Sequence, residues 1–327
     1  MQVLRPESAG AGTSGAHGAS RAGARDGAKH DGVQPERIDV RGAVDLHVHS
    51  APCLFPRLGD DVEMAADAAR TGLRAIVLKA HHESTVSRAY AAQRAVPDVR
   101  VFGGIVLNSY VGGINPRAAE AALRLGAAQV WLPTIDAAYH RQVYGRGDGG
   151  RDSAGSALGD GLSVLGPGGR LSDDALAVLE LVAAHDAILG TAHISPREIE
   201  QLVPEAKRRG VTKILITHPF FPVPNLDLAT LRDLVRLGAM AEFTYCAVSP
   251  MWRGTTVEAV AAAVQALGAA NCVLTSDAGQ RHNPYPGEAL RLFAQQLHEL
   301  GVAADDVYTM VRDNPARLLG LSGSGTP

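Results

Sequence analysis

The sequence predicts an α/β protein of the (β/α)8 or TIM-barrel type, because short apolar runs alternate with amphipathic stretches from residue 43 to about residue 320. The apolar runs are rich in Val, Ile and Leu, which is typical of strands that are buried on both faces. The predicted strands are 44–49, 74–80, 99–107, 129–133, 187–193, 212–218, 239–245 and 271–276.

Helices are predicted between these strands, and several of them end at a glycine that can adopt the left-handed C-cap conformation. The predicted helices are 61–71, 84–95, 116–125, 173–185, 196–209, 227–237, 255–267 and 287–300, with a closing helix at 304–319. The glycines that follow them are Gly72, Gly126, Gly210, Gly238, Gly268 and Gly301. This alternation of strands and helices meets the requirement of a closed barrel.

An open, doubly wound parallel sheet is the alternative to a closed barrel. Such a sheet normally carries a glycine-rich phosphate-binding turn after its first strand. In this sequence the first predicted strand ends in His47-Val48-His49 instead. The sequence therefore favours the barrel.

Two segments depart from the alternation. Residues 1–37 are mainly Gly, Ala, Ser, Arg and Asp, so we predict a disordered tail ahead of a metal-dependent barrel domain at 38–327. Residues 136–172 form a Gly-rich insertion after the fourth strand, with a small hairpin predicted at 162–171. In a barrel this insertion lies at the C-terminal face, as either a mobile lid or a solvated surface loop.

The composition argues against several classes of partner. The net charge is −3 at pH 7 and the isoelectric point is about 6.5, so neither nucleic acid nor a membrane surface is expected as a partner. Three scattered cysteines predict neither a disulfide framework nor a Cys-type zinc site, and they favour a reducing, cytoplasmic setting. A small-molecule substrate is the expected partner, and a homo-oligomer is compatible with the sequence.

Potential metal ligands recur at the ends of the predicted strands. His47 and His49 are expected on one face of the first strand, about 7 Å apart. His193, His218 and Asp277 end the fifth, sixth and eighth strands. Because the C-terminal ends of barrel strands converge on one mouth, these five side chains can meet there. Each has a structural explanation by itself, but together they predict a metal site, and neutral imidazoles suit zinc.

The second strand adds Lys79 and His81, which alternation places on one face with Val77. A lysine at the end of an apolar strand is costly unless it is paired, neutral or modified. Lys79 is therefore a carbamylated bridge between metal ions, a cation that faces a substrate carboxylate, or a partner of an acidic residue. His81 is a further candidate ligand.

Weaker candidates follow other strands. Asn108, Arg281 and His282 are candidates for substrate binding, and Arg281 suits a carboxylate or a phosphate. Asp45, two residues before His47, is placed to orient an imidazole. Cys53 is not expected to be a nucleophile, because no dedicated base for it is identifiable.

The pattern resembles the amidohydrolase superfamily of metal-dependent hydrolases over residues 43 to about 320, at the level of an uncharacterised subgroup. The resemblance rests on Asp45-Leu46-His47-Val48-His49, His193 in Gly-Thr-Ala-His-Ile-Ser, His218 in Ile-Thr-His-Pro, Asp277 in Thr-Ser-Asp-Ala, and the closing Asn314-Pro315-Ala316-Arg317-Leu318-Leu319-Gly320.

This resemblance implies that His47, His49 and Asp277 hold one metal ion, usually Zn²⁺, with Mn²⁺ or Fe²⁺ as alternatives. It implies that His193 and His218 hold a second metal ion or the substrate. Binuclear members commonly carry a bridging lysine or glutamate at the end of the fourth strand, but here that strand reads Gln129-Val130-Trp131-Leu132-Pro133-Thr134. Either Lys79 supplies the bridge or the site holds one metal ion.

The implied activity is metal-dependent hydrolysis of an amide, imide or cyclic amide C–N bond, with metal-activated water and Asp277 as general base and acid. One alternative is a mononuclear metal-dependent decarboxylase of the same superfamily, and another is a phosphoester or lactone hydrolase. A barrel that binds metal or ligand without turnover is the non-enzymatic alternative, and the complete ligand set argues against it.

Overall fold

The computed structural model describes residues 36–145 and 160–321. Within them, eight parallel strands form one sheet in which each strand pairs with the next along the chain. The strands are β1 (Val44–His49), β2 (Ala75–Lys79), β3 (Arg100–Val106), β4 (Gln129–Trp131), β5 (Ile188–Gly190), β6 (Ile214–Thr217), β7 (Met240–Thr244) and β8 (Cys272–Thr275).

The first strand meets the segment that follows the last one. Val48 forms a parallel bridge with Ala278, and the backbone N–H of His49 donates to the carbonyl of Ala278 at 2.8 Å. This contact brings the two ends of the sheet together at the end where the candidate ligands lie. The predicted (β/α)8 TIM-barrel fold is confirmed.

The helices alternate with the strands along the chain or follow the last strand. They are α1 (Asp61–Arg70), α2 (Val86–Ala95), α3 (Pro116–Arg124), α4 (Ala138–Tyr144), α5 (Asp173–Ala184), α6 (Pro196–Arg208), α7 (Leu228–Arg236), α8 (Tyr245–Val248), α9 (Val257–Leu267), α10 (Pro286–Glu299), α11 (Ala304–Tyr308) and α12 (Asn314–Leu318). A π-helical turn at Thr309–Asp313 joins the last two, where one continuous helix was predicted. Among the described residues, no helix is both long enough and apolar enough to cross a bilayer.

The apolar core has two layers. The larger layer lies between the strands and the helices, and a smaller cluster fills the barrel interior. The indole of Trp131 on β4 is the largest side chain of the interior cluster and is fully buried. It has room because β3 and β5 carry glycines beside it. A Cβ atom at Gly104 or at Gly190 would lie 2.5 Å from an indole carbon.

The insertion after β4 is partly structured. Residues 146–159, with most of its Gly-rich run, lie outside the described residues, as do residues 1–35 of the predicted tail. The predicted hairpin is present, because Leu165 bridges Leu171 and the N–H of Gly166 donates to the carbonyl of Arg170 at 2.8 Å. Helix α4 was not predicted from the sequence. It begins directly after Ala137, which bridges Leu162.

Candidate metal centre

The C-terminal end of β1 carries the histidine pair, but the strand is not regular there. Its register against β2 shifts between Asp45 and Val48, and Leu46 packs in the barrel interior although His47 also faces inward. The regular alternation of inward-facing and outward-facing side chains is therefore interrupted between Leu46 and His47. The Asp45 carboxylate accepts the backbone N–H groups of His47 and Ser276, both at 3.1 Å. The predicted contact between Asp45 and an imidazole is wrong, because the bulge turns this carboxylate toward the backbone.

Three donor groups meet at the mouth of the barrel. The Nε2 atoms of His47 and His49 lie 3.1 and 3.2 Å from the Oδ1 atom of Asp277. The donor atoms of these three residues all lie within 4.8 Å of one another. Donors on adjacent corners of a tetrahedral zinc site are separated by about 3.3 Å, given metal–ligand distances of about 2.0–2.1 Å. The three residues therefore fit one small divalent metal ion.

The second nitrogen of His47 is held by a glutamate that the sequence analysis missed. The Nδ1 atom of His47 lies 2.9 Å from Oε1 of Glu242 on β7, and both side chains are buried. An ionised carboxylate only accepts hydrogen bonds, so Nδ1 of His47 carries the proton and Nε2 keeps its lone pair for a metal ion. The hydroxyl of Thr275 donates to the same Glu242 oxygen at 3.0 Å. The sequence did contain a signal, because Glu242 interrupts the apolar strand Met240–Thr244.

Burial keeps the imidazoles of the mouth neutral. Desolvation lowers the pKa of His47 and of His218 to about 3, and lowers the pKa of His49 and His193 well below the ordinary value. A neutral imidazole offers a lone pair, which is the form that binds a metal ion. Burial also raises the pKa of Asp277, although the neighbouring His47 and Lys79 oppose the shift.

Two of the candidate ligands lie on strained backbone. His218 has a φ of 30° and Asp277 a φ of 47°, which places both in the left-handed region that favours glycine. Such conformations cost on the order of 1–3 kcal/mol each and cluster at functional sites. The chain therefore holds both side chains toward the mouth at an energetic cost.

Lys79 lies directly beside the donor cluster. Its Nζ atom is 3.0 Å from Nε2 of His47 and 5.2 Å from the centroid of the Trp131 ring. Burial lowers the pKa of Lys79 to about 8, although the carboxylates of Asp277 and Glu242 oppose the shift. Trp131 occupies the interior position of β4, so β4 presents an indole rather than a ligand at the floor of the site.

His193 and His218 form the opposite side of the mouth, with ring centroids 5.0 Å apart. Nδ1 of His193 lies 2.9 Å from Nδ1 of His140, a histidine of helix α4 that the sequence analysis did not single out. Nδ1 of His218 is buried without a hydrogen-bond partner among the described residues. The insertion thus adds a third histidine to this side of the mouth.

His81 also reaches the mouth, whereas Asn108 does not. The His81 ring lies 4.8 Å from the ring of His49, and its Nδ1 atom is 2.8 Å from the hydroxyl of Thr134. The buried amide of Asn108 donates to the carbonyl of His81 and to the Thr134 hydroxyl, and accepts the N–H of Thr134. These hydrogen bonds support His81 from behind, and the substrate-binding role of Asn108 stays a prediction.

A cavity opens above the donor cluster, with about 650 Å³ of empty space that includes part of the open mouth. Its polar wall contains the five predicted strand-end residues together with Lys79, His81, His140, Arg57 and Gln280. Its apolar wall is formed by Phe55, Ile135, Tyr144, Phe221, Cys246 and Trp252. Apolar walls with a few convergent polar groups are typical of small-molecule sites.

Arg281 and His282 do not line this cavity. Both are exposed, the Nε atom of Arg281 points to the backbone carbonyl of Arg57 at 3.5 Å, and the His282 ring lies 6.1 Å from Trp252. Their substrate-binding role stays a prediction. The Sγ atom of Cys53 lies 3.9 Å from Nδ1 of His82, so Cys53 has an imidazole neighbour after all, but neither residue lines the cavity.

A comparison with known protein families assigns this chain to one of them. The model of a family of unknown function, DUF6282, matches residues 42–242. The chain belongs to this family. The matched region runs from the start of β1 into β7, so it contains every candidate ligand except Asp277. No curated protein matches the sequence.

Solved structures of similar fold come from hydrolases. An organophosphorus hydrolase from Deinococcus radiodurans matches with a TM-score of 0.54 and 15% identity, over 89% of this chain and 100% of that one. A β-aspartyl dipeptidase from Fervidobacterium islandicum matches with a TM-score of 0.57 and 15% identity, over 85% of this chain and 72% of that one. An amidohydrolase from Pseudomonas aeruginosa matches with a TM-score of 0.54 and 12% identity, over 85% of this chain and 95% of that one. These likenesses show that this DUF6282 member shares its barrel fold with an organophosphorus hydrolase, a dipeptidase and an amidohydrolase.

Proposed function

We propose that the protein is a metal-dependent hydrolase that cleaves the C–N bond of an amide, imide or cyclic amide. The observation that supports it is the cluster of His47, His49 and Asp277, whose donor atoms have the spacing of ligands to one divalent metal ion. Zn²⁺ is the proposed ion, because two neutral imidazoles and a carboxylate suit it, and Mn²⁺ or Fe²⁺ are the alternatives.

Each residue of the site has a proposed task. His47, His49 and Asp277 would hold the divalent ion, which would supply activation of water and polarisation of the carbonyl group. Oδ1 of Asp277 faces both imidazoles, so Oδ2 is free to accept a proton from water and to pass it to the leaving nitrogen. Glu242 holds the tautomer of His47, while His193 and His218 bind the substrate or a second ion. The apolar wall excludes bulk water from the reacting groups.

Lys79 is proposed to be a carbamylated bridge. Its Nζ atom lies 3.0 Å from Nε2 of His47, which is the lone pair that the metal ion needs. An ammonium group there competes with a cation for that lone pair. A carbamate is instead anionic, and it would supply on β2 the bridging ligand that β4 lacks. This modification supports a binuclear site with His193 and His218.

Metal content tests the site. We expect wild-type protein to bind at least one equivalent of zinc, and both His47→Ala and Asp277→Asn to lose it, as measured by elemental analysis and by titration of metal-free protein. His185→Ala, an exposed histidine after helix α5, is the matched control and keeps its metal. Unchanged metal content in His47→Ala and Asp277→Asn would show that the proposed site is wrong.

Activity tests the reaction class. A panel of amides, imides and cyclic amides is assayed with and without a chelator, and with metal added back. We expect chelation to abolish turnover, and Asp277→Asn to abolish it as well, because this substitution removes both a proposed metal ligand and the proposed general base. Turnover that survives in chelator-treated protein contradicts metal-dependent hydrolysis.

A mononuclear decarboxylase is the second candidate, and Trp131 favours it. The indole occupies the interior position of β4 where binuclear relatives carry their bridge. Intact-protein mass separates the candidates, because carbamylation of Lys79 adds 44 Da, a mass that follows from the formula of CO₂. Two metal ions with the mass increment support binuclear hydrolysis. One ion without it, together with release of CO₂ rather than an amine, supports the decarboxylase.

The setting remains the one that the composition predicts. Cys53, Cys246 and Cys272 form no disulfide bond with one another, which supports the proposal of a reducing cytoplasmic compartment. A small molecule is the proposed partner, in view of the size of the cavity and its apolar wall.

A further inference from the structure

Arg57 is the one cationic side chain of the cavity wall that the sequence analysis did not consider. It follows β1 in the loop that leads to α1, and only 8% of its surface is exposed. Its Nε atom is fully buried without a hydrogen-bond partner among the described residues. No described residue forms an ion pair with its guanidinium group either. Arg57 is thus a buried charge on the wall of the cavity without a direct ion pair among the described residues, and the carboxylate of Asp277 acts on it only at longer range.

A buried guanidinium without a partner is energetically unfavourable. The group cannot lose its proton at any ordinary pH, so it cannot avoid the cost by becoming neutral. Buried charges in proteins are normally paired or hydrogen-bonded for this reason. A group of this kind that faces a cavity indicates that its partner is a ligand.

The position of Arg57 is fixed by its backbone. Arg57 bridges Gln280, and the N–H of the next residue, Leu58, donates to the carbonyl of Gly279 at 2.8 Å. This segment follows Asp277 directly, so the guanidinium is tied to the loop that carries the candidate general base. The guanidinium carbon also lies 5.6 Å from the centroid of the Phe55 ring. These contacts hold the group in place before any ligand binds.

The charge of Arg57 acts on the metal centre. It is the second-largest cause of the lowered pKa of His49, after burial, and it contributes to the lowered pKa of His47 and Lys79. Its charge therefore lies within electrostatic range of the donor cluster. An anionic group on Arg57 would sit close to the atoms that react at Asp277.

The other cations near the mouth are not available in the same way. Nζ of Lys79 is in contact with Nε2 of His47, and Arg281 is exposed outside the cavity. The planar fork of a guanidinium matches two oxygens of either a carboxylate or a phosphate, so the choice between them depends on charge. Arg57 supplies one positive charge, which balances a carboxylate but not a phosphate dianion. The arrangement around Arg57 therefore favours a carboxylate over a phosphate.

We infer that Arg57 binds a carboxylate of the substrate, so that the bond to be cleaved belongs to an amide or cyclic amide that also carries a free carboxylate. The identity of the cleaved bond as an amide rests on the proposed function, whereas the carboxylate site itself does not. The apolar wall beside it, with Phe55 and Phe221, would receive the rest of the molecule.

Binding of benzoate, benzamide and inorganic phosphate to the full-length protein tests the inference by calorimetry. The pair benzoate and benzamide differs in charge but hardly in shape, and both suit an aromatic wall. Measurement on chelator-treated protein removes binding of benzoate to a metal ion. We expect benzoate to bind wild-type protein, Arg57→Gln to weaken it at least tenfold, and Arg57→Lys to fall in between because it keeps the charge without the fork. Benzamide should bind wild-type and Arg57→Gln protein alike.

Arg117→Gln is the matched control, because it removes an exposed arginine on helix α3 and should leave benzoate affinity unchanged. Equal benzoate affinity in wild-type and Arg57→Gln protein overturns the inference. It is overturned as well by phosphate that binds more tightly than benzoate in an Arg57-dependent manner, or by wild-type protein that binds no benzoate.

Metal content, measured on each protein before the chelator treatment, separates this inference from the proposed function. If His47→Ala keeps its metal while benzoate binding still depends on Arg57, the metal site is wrong and the carboxylate site stands. If His47→Ala loses its metal and Arg57→Gln binds benzoate normally, the metal site stands and the carboxylate site is wrong.

Discussion

At the scale of single residues, the candidate site includes a buried carboxylate, Glu242, that contacts a candidate ligand without lining the cavity. Glu242 receives Nδ1 of His47 and is itself held by Thr275, so the ring of His47 has one tautomer and one orientation. Partners of this kind raise the affinity for metal because they pre-arrange the ligand before the ion arrives. Glu242 is thus a positioning residue, and its effect should be measurable without any substrate.

We predict that Glu242→Ala weakens zinc binding by about 10–100-fold, the range typical for loss of a partner of a metal-bound histidine. Glu242→Gln should be weakened less, because an amide oxygen can still accept from Nδ1 of His47. Competition titration with a chromophoric chelator measures both affinities. Thr275→Val removes only the hydroxyl that donates to Glu242, so it should have the smallest effect. Equal affinities in Glu242→Ala and wild-type protein would contradict the positioning role.

Residues that interrupt an apolar strand could be read from the sequence, whereas residues in loops could not. Lys79 was identified because a charge at the end of a buried strand needs a partner, and the same reasoning would have found Glu242. Arg57 and His140 have no such signal. One lies in a loop and the other in a short helix of the insertion, and only the tertiary structure brings them to the cavity.

At the scale of elements, the end of β1 and the loop after β8 form one unit. Gly279 makes this unit possible. Its φ is +128°, and a Cβ atom there would lie 2.0 Å from the backbone oxygen of His49. The close approach keeps Asp277 within reach of both histidines.

We predict that Gly279→Ala destabilises the protein by about 1–3 kcal/mol or more through overpacking, and also lowers its affinity for zinc because the loop must move away from β1. Gly126→Ala is the matched control. Gly126 has a similar φ of +99°, but no atom lies near its Cβ position, so only the conformational cost of about 1 kcal/mol is expected. Urea unfolding and zinc titration measure the two effects. Equal effects of the two substitutions would show that the contact with His49 is unimportant.

The strands were predictable because each is an apolar run, and β1 agrees with its prediction at both ends. What the sequence could not show is the local geometry within an element. The bulge in β1 changes which side chains face inward, and it depends on hydrogen bonds from His47 and Ser276 to Asp45 that join β1 to the end of β8. The alternation of inward and outward side chains is inferred from position along one strand, so it cannot predict a bulge that depends on contacts between two strands.

At the scale of the whole molecule, the first buried side chains of the described residues lie just after position 36. Ile38 and Val40 are buried, and the backbone N–H of Ile38 donates to the side chain of Gln295 on α10 at 2.9 Å. The residues before position 36 lie outside the described part of the chain. Their composition still predicts that they add nothing to the core.

We predict that removal of residues 1–34 changes the free energy of unfolding by less than about 0.5 kcal/mol and leaves zinc content unchanged, because no predicted core residue is lost. Removal of residues 1–40 should cost about 3 kcal/mol or more, since it deletes two buried aliphatic side chains that each contribute about 1.5–3 kcal/mol. Urea unfolding of both truncated proteins makes the comparison. A large loss from the shorter truncation would mean that the first 34 residues belong to the folded unit, and the domain boundary would then move toward the N-terminus.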